Sequence, residues 1–231
     1  MNTLGNISSF LKTIRCKLNN NCNFENNLYK KYGDCNKLLH NFGLRILFIT
    51  DTHGMLAYEK DIVGYISGLN NYDCCILLGD HSTNDIKIIK NIVPNERLYG
   101  VLGNHDGWEL YRDNDIKNIS GKVIEINGVK IAGIGGSYKY KNSDEYAMYT
   151  HESSIKIADE MQSADVLISH DRPYIKEQYG ESHDGLKGIT EYIYKNRVPI
   201  HVHGHIHEES EEILKNGTRS ICIYGAKLLE I

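Results

Sequence analysis

Apolar and polar positions follow two different rhythms along this chain, and the change of rhythm divides it. Up to about residue 43 apolar residues fall at helical spacing, first Phe10, Leu11, Ile14 and Leu18, then Leu28, Tyr32, Leu38 and Leu39. This predicts a helical N-terminal extension over residues 1–43 and a second domain over residues 44–231. From Arg45 onward, short apolar runs alternate with amphipathic stretches. Arg45-Ile46-Leu47-Phe48-Ile49-Thr50 is the kind of run that makes a strand buried on both faces. An amphipathic stretch from Tyr58 to Leu69 follows, then a second buried strand at Cys74-Cys75-Ile76-Leu77-Leu78. A helix is predicted from Asp85 to Ile92, ahead of Pro94, and a third strand from Leu98 to Leu102. Strands separated by helices imply crossover connections and a largely parallel sheet.

The rhythm then changes again. Val123 to Ile126 and Val129 to Ala132, joined by Asn127-Gly128, predict a hairpin. Further strands are expected at Asp165 to Ser169 and Pro199 to His203. A last hairpin pairs Glu211 to Leu214 with Arg219 to Tyr224 across Asn216-Gly217. The simplest architecture is one α/β domain built on two sheets.

Bulk properties narrow the function classes. With 231 residues, 41% hydrophobic and 24% charged, the chain can bury a core without disulfide staples. A net charge of −4 lacks the basic surplus by which nucleic-acid binders neutralise phosphates. There is no apolar run of membrane-spanning length and no apolar secretion core near the N-terminus, which predicts a cytoplasmic protein. The six cysteines fit that compartment as reduced thiols: Cys74 and Cys75 read as core residues, and Cys16, Cys22 and Cys35 lack the spacing of a zinc site.

The candidate chemistry sits where strands end. The first three strands run into Asp51-Thr52-His53-Gly54, Gly79-Asp80-His81 and Gly103-Asn104-His105-Asp106; two later ones run into Ser169-His170 and Gly204-His205-Ile206-His207. Ligand sites of α/β sheets form beyond the carboxyl ends of strands. Turn formation explains an Asp or a Gly there, but not the six histidines. Asp-x-His and His-x-His put alternate side chains on one side of an extended segment. A carboxylate can bridge two cations, and Asn104 adds a neutral oxygen. The absence of thiolates favours Mn, Fe, Zn, Ni or Co over a structural zinc site.

The ordered set D-x-H, G-D, G-N-H-D, H and G-H-x-H resembles the calcineurin-like metallophosphoesterase superfamily over roughly residues 45–231. Gly133-Ile134-Gly135-Gly136-Ser137 and the stretch Ser169 to His207 are similar to a bacterial, archaeal and phage branch of small phosphoesterases. The resemblance implies a two-sheet β-sandwich flanked by helices and a pair of divalent ions, with manganese the first expectation. One ion would be held by Asp51, His53 and His207 and the other by Asn104, His170 and His205, with Asp80 shared. His105 would be the proton donor; on chemical grounds Asp106 or another acid nearby would assist it, and a water bridging the ions would be the nucleophile in its ionised form.

Arg172 and His183 are candidate substrate contacts, although His170-Asp171-Arg172-Pro173 departs from the two prolines that often follow the branch's histidine. Tyr138, Tyr140, Tyr146 and Tyr149 are read as packing residues, with a lid or stacking wall as the alternative. His40, His151 and His201 are read as surface or packing residues, and His81 and His203 as supporting ones. The expected function is hydrolysis of small phosphate mono- or diesters. The alternatives are a nuclease acting on DNA or RNA ends and a non-catalytic scaffold of the same fold.

Overall fold

A computed structural model describes residues 43–174 and 182–231. The helical extension read over residues 1–43 lies outside them, except for Gly43, as do His40, Cys16, Cys22 and Cys35.

Strand β1 (Arg45–Thr50) is buried from Ile46 onward because it is covered on both faces. Its even-numbered residues Ile46 and Phe48 join Val166, Ile168, Val202 and Ile221 in a layer between two sheets. Its odd-numbered residues Leu47 and Ile49 pack with Ile66, Ile86 and Ile89 on the helical side. A period of two that is apolar on both sides is what a central sandwich strand requires.

The first sheet pairs β1 in parallel with β2 (Cys74–Leu77), followed by β3 (Leu98–Gly100) and β4 (Lys117–Asn118). Its far edge is an antiparallel strand formed by Gly225–Glu230, a segment the apolar pattern does not announce. Helix α1 (Lys60–Gly68) and helix α2 (Thr83–Ile92) connect the parallel strands. Helix α2 begins two residues before the expected start because Ser82 and Asp85 form a reciprocal capping box.

The second sheet has the order β11-β12-β10-β9-β6-β5. The hairpin β5 (Lys122–Ile126) and β6 (Val129–Ile134) turns at Asn127-Gly128, both with positive φ. Strands β9 (Val166–Ser169) and β10 (Ile200–His203) run parallel, and β11 (Ser210–Ile213) closes antiparallel on β12 (Arg219–Cys222). A small parallel pair joins β7 (Ser137–Tyr138) and β8 (Met148–Tyr149).

Two helices cover the outer face: His151–Glu160, capped by Thr150, and Lys187–Asn196. Ala132, Ile134 and Leu167 pack against their Ala158, Ile189 and Ile193. The result is the four-layer sandwich expected, with both sheets sending strand ends to one rim. Cys74, Cys75 and Cys222 are buried free thiols. No helix among the described residues is long and apolar enough to cross a membrane.

Candidate metal centre

The rim is made from strained turns. Among the described non-glycine residues, Asp51, His53, Asp80, His205 and His207 all have positive φ, between 47° and 69°. Backbone in this region costs energy and survives where the surroundings overdetermine it, which occurs mostly at functional sites.

Two groups of side chains result. Asp51, His53 and His207 offer atoms within 4.8 Å of one another, and so do Asp80, His170 and His205. Asp80 stands between them: its Oδ2 is 3.7 Å from His53 Nε2 and 3.6 Å from His170 Nε2. Its Oδ1 accepts the His105 amide at 2.8 Å. The Asn104 Oδ1 atom is 2.9 Å from His170 Nε2. All seven residues expected to hold ions are therefore brought to this rim.

The donor chemistry fits cations. Asp51 Oδ2 accepts the Thr50 hydroxyl at 2.6 Å and the His205 amide at 2.9 Å. Its Oδ1, though buried, has no hydrogen-bond partner and faces His207 Nε2 at 3.4 Å. His170 Nδ1 is 2.6 Å from the Leu78 carbonyl, which can only accept. Nδ1 therefore carries a proton, and Nε2, facing the Asn104 oxygen, is the nitrogen open to a second proton or a cation. His205 Nε2 donates in the same way to the Ser182 carbonyl at 2.7 Å, leaving the lone pair on Nδ1. His53 Nε2 and His207 Nε2 face each other at 3.0 Å. Facing lone pairs are stable only with a proton or a cation at their junction, and second contacts that fix the tautomer are characteristic of metal-binding imidazoles.

The protonation equilibria have the same origin. Burial opposes the Asp51 charge, but His207, the His170 charge, Thr50 and the His205 amide outweigh it and hold the carboxyl well below its ordinary range. Burial also opposes the His170 imidazolium, yet Asp80 and Asp51 raise its pKa above the usual value. Burial and the His170 charge press His205 down to about 3. A proton on His170 thus does electrostatically what a cation would do.

His105 sits at the mouth, its side chain 53% exposed and its Nε2 4.0 Å from Asp80 Oδ2. Asp106 behaves differently from its expected role as partner to His105. Its Oδ2 accepts the amides of Gly103 and Asp80 at 2.7 and 2.9 Å, and its Oδ1 accepts the His81 amide at 2.9 Å. Both oxygens bind backbone, so Asp106 is a positioning residue that ties two turns together. Burial and the nearby Asp80 push its carboxyl up to about 7, against those hydrogen bonds.

The ring of His183 lies 4.9 Å from that of His205, edge-on. Arg172 is buried, with its guanidinium 3.8 Å from Glu212, so a phosphate fork there would have to displace that carboxylate. His201 and His203 stack in the interior at 5.1 Å, His151 stacks on Tyr138 at 4.5 Å, and His81 Nδ1 contacts the Thr52 hydroxyl at 2.7 Å.

Asp85 supports the site and is legible in the sequence only as the start of a helix. Its carboxylate takes the Thr52 hydroxyl at 2.9 Å and the amides of Gly54, Leu56 and Ser82 at 2.6, 3.0 and 3.0 Å. It thereby clamps the Asp51–His53 turn to helix α2. Asp85→Ala removes a cap and strands several donors, at a cost of about 3 kcal/mol. The expected fall in melting temperature is about 6–12 °C, measurable by calorimetry, with weakened ion binding.

Comparison with known proteins agrees with this construction. A model of the calcineurin-like phosphoesterase family matches residues 44–209. An uncharacterised protein of Haemophilus influenzae is 27% identical over 199 residues, covering 71% of this chain and 83% of its own. A second, from Methanocaldococcus jannaschii, is 28% identical over 186 residues, covering 71% and 81%. The phosphopantetheinyl hydrolase of Mycobacterium tuberculosis superposes with a TM-score of 0.57 at 13% identity, covering 80% of this chain and 90% of that one. That likeness carries the fold. The five strand-end motifs, their convergence on one rim and the family match together lead to one conclusion: the chain belongs to the calcineurin-like phosphoesterase family.

Proposed function

We propose that this chain hydrolyses phosphate esters of small molecules with two divalent ions, and that His105 donates the proton to the leaving oxygen. The observation that carries the reading is Asp80 Oδ2, placed between a His53 nitrogen and a His170 nitrogen below an exposed third imidazole. Asp51, His53 and His207 would hold one ion and Asn104, His170 and His205 the other, with Asp80 between them. When bound, such ions supply Lewis acidity toward the phosphoryl oxygens and a nucleophile from ionised water. The protein's own contribution is order. Asp106 and Asp85 pin the turns, Leu78 and Ser182 set imidazole tautomers, and His105 presents Nε2 at the mouth where a departing alkoxide needs a proton. His183 flanks His205 as a candidate substrate contact. Manganese is the first ion to test, followed by Fe, Co, Ni and Zn.

His105→Ala is expected to lower turnover about 10²–10⁴-fold while leaving ion content unchanged, read by steady-state kinetics beside elemental analysis. Loss of both ions in that variant would remove the proton-donor role. Release of nitrophenol from mono- and bis-phosphate esters should exceed degradation of single- and double-stranded oligonucleotides. The reverse ranking would make the protein a nuclease, and inactivity with every ion would make it a scaffold.

A further inference from the structure

We propose that Lys141 recognises a second oxyanion, a phosphate or a carboxylate, carried by the leaving group of the substrate. The inference rests on the phosphoesterase reading and adds the class of ester.

The segment from Lys139 to Ala147 is tied to the loop bearing Asn104 and His105 at several points. Gly107 and Tyr146 form an antiparallel bridge, and the Ala147 amide donates to the Asp106 carbonyl at 3.1 Å. The Trp108 indole N–H donates to the Asp144 carbonyl at 2.8 Å, and Lys139 pairs with the Asp144 carboxylate at 2.5 Å. Closest to the chemistry, Asn104 Nδ2 donates to the Tyr140 hydroxyl at 3.3 Å. The aromatic residues after the glycine-rich loop therefore form a wall on the His105 flank of the site.

Lys141 is held on that wall. Its ammonium lies 5.4 Å from the centre of the Tyr140 ring and 4.8 Å from that of Tyr146. Both contacts are cation–π; no ion pair among the described residues engages this lysine. Lys139, two residues earlier, is by contrast neutralised by Asp144. Ring faces fix the position of an ammonium without satisfying its hydrogen-bond donors, so Lys141 stays available to an anion. A lysine fixed beside two prospective dications is repelled unless negative charge enters between them. A substrate does this when its own charge extends beyond the reacting phosphoryl.

The flank decides which part of the substrate is read. The proton donor must reach the leaving oxygen. Lys141 lies on the same side, over Tyr140, whose hydroxyl touches Asn104, and over Tyr146, which is bridged to Gly107, so it meets what hangs from that oxygen. The substrate class is an alkyl phosphate whose alcohol carries a further phosphate or carboxylate.

Three matched esters test this: propyl phosphate, the phosphate of 3-hydroxypropionate and 1,3-propanediol bisphosphate. The wild-type enzyme should favour the second or third over the first, and the better of the two names the oxyanion. In Lys141→Met, kcat/KM for the preferred ester should fall about 10–100-fold, most of it in KM, while propyl phosphate changes several-fold less; Lys141→Arg should restore the preference. Binding of the bisphosphate to metal-free protein, followed by fluorescence of Trp108, the single tryptophan, should weaken about tenfold in Lys141→Met. An active enzyme whose preference is the same in wild type and Lys141→Met overturns the inference and leaves the phosphoesterase reading intact. Inactivity on these three esters and on the nitrophenyl esters overturns that reading instead. The fluorescence titration then decides Lys141 separately, because equal affinities would eliminate it.

Discussion

Asp80→Ala should abolish the reaction in practical terms, with kcat/KM falling about 10²–10⁴-fold, the rate equivalent of roughly 3–5 kcal/mol. The carboxylate is 1% exposed and its two oxygens do different work. One receives the His105 amide, and the other stands between the two imidazole groups. Removing it leaves His53 and His170 without the anion that both face, so ion content should fall at both sites. Elemental analysis and titration calorimetry read the ion loss directly. A variant that keeps two tightly bound ions and most of its activity would contradict the shared role of Asp80. Asp80→Asn is the sharper comparison, since it keeps an oxygen near His105 and discards the charge.

Gly204→Ala is expected to be nearly as damaging although it adds one carbon. A Cβ at this position would overlap the Thr50 hydroxyl and lie 2.6 Å from Asp51 Oδ2. That oxygen already accepts the Thr50 hydroxyl and the His205 amide, so one methyl group disturbs two hydrogen bonds that hold Asp51, a member of the first ion group. Overpacking of this kind costs about 1–3 kcal/mol, or roughly 2–12 °C in melting temperature. Activity should fall further, because the displaced atom belongs to Asp51. The control is Gly64→Ala, whose Cβ meets nothing within 4 Å in helix α1 and which should stabilise by up to about 1 kcal/mol. Comparable kinetics for the two variants would mean that the turn around Gly204 tolerates more movement than its contacts suggest.

The sandwich was legible because its central strands are apolar on both sides, and a run such as Ile46 to Ile49 has few other uses. The ion groups were legible because their residues are chemically unusual at strand ends. The supporting carboxylates were not. Asp85 reads in sequence only as a helix start and Asp106 only as a helper of His105, and their positioning roles come from amides brought in by other segments. The helices His151–Glu160 and Lys187–Asn196 were hidden for a different reason. Each buries only a narrow stripe, such as Ala158 or Ile189 with Ile193, within largely polar sequence. Strand Gly225–Glu230 is half-buried from Ala226 to Leu229 and exposed at Glu230, and so lacks a clear alternation. Tyr140 and Tyr146, read from sequence as packing residues with a lid or stacking wall as the alternative, hold the Lys141 ammonium over their rings.

That same strand has one more implication. Ile231 exchanges both backbone hydrogen bonds with Leu44, at 2.7 and 2.9 Å, so these two residues are paired neighbours beside strand β1. A short linker from Ile231 to Leu44 would close residues 44–231 into a ring. New ends could then be opened at an exposed turn such as Asn127-Gly128, inside the antiparallel hairpin of β5 and β6, leaving the connections between paired parallel strands in place.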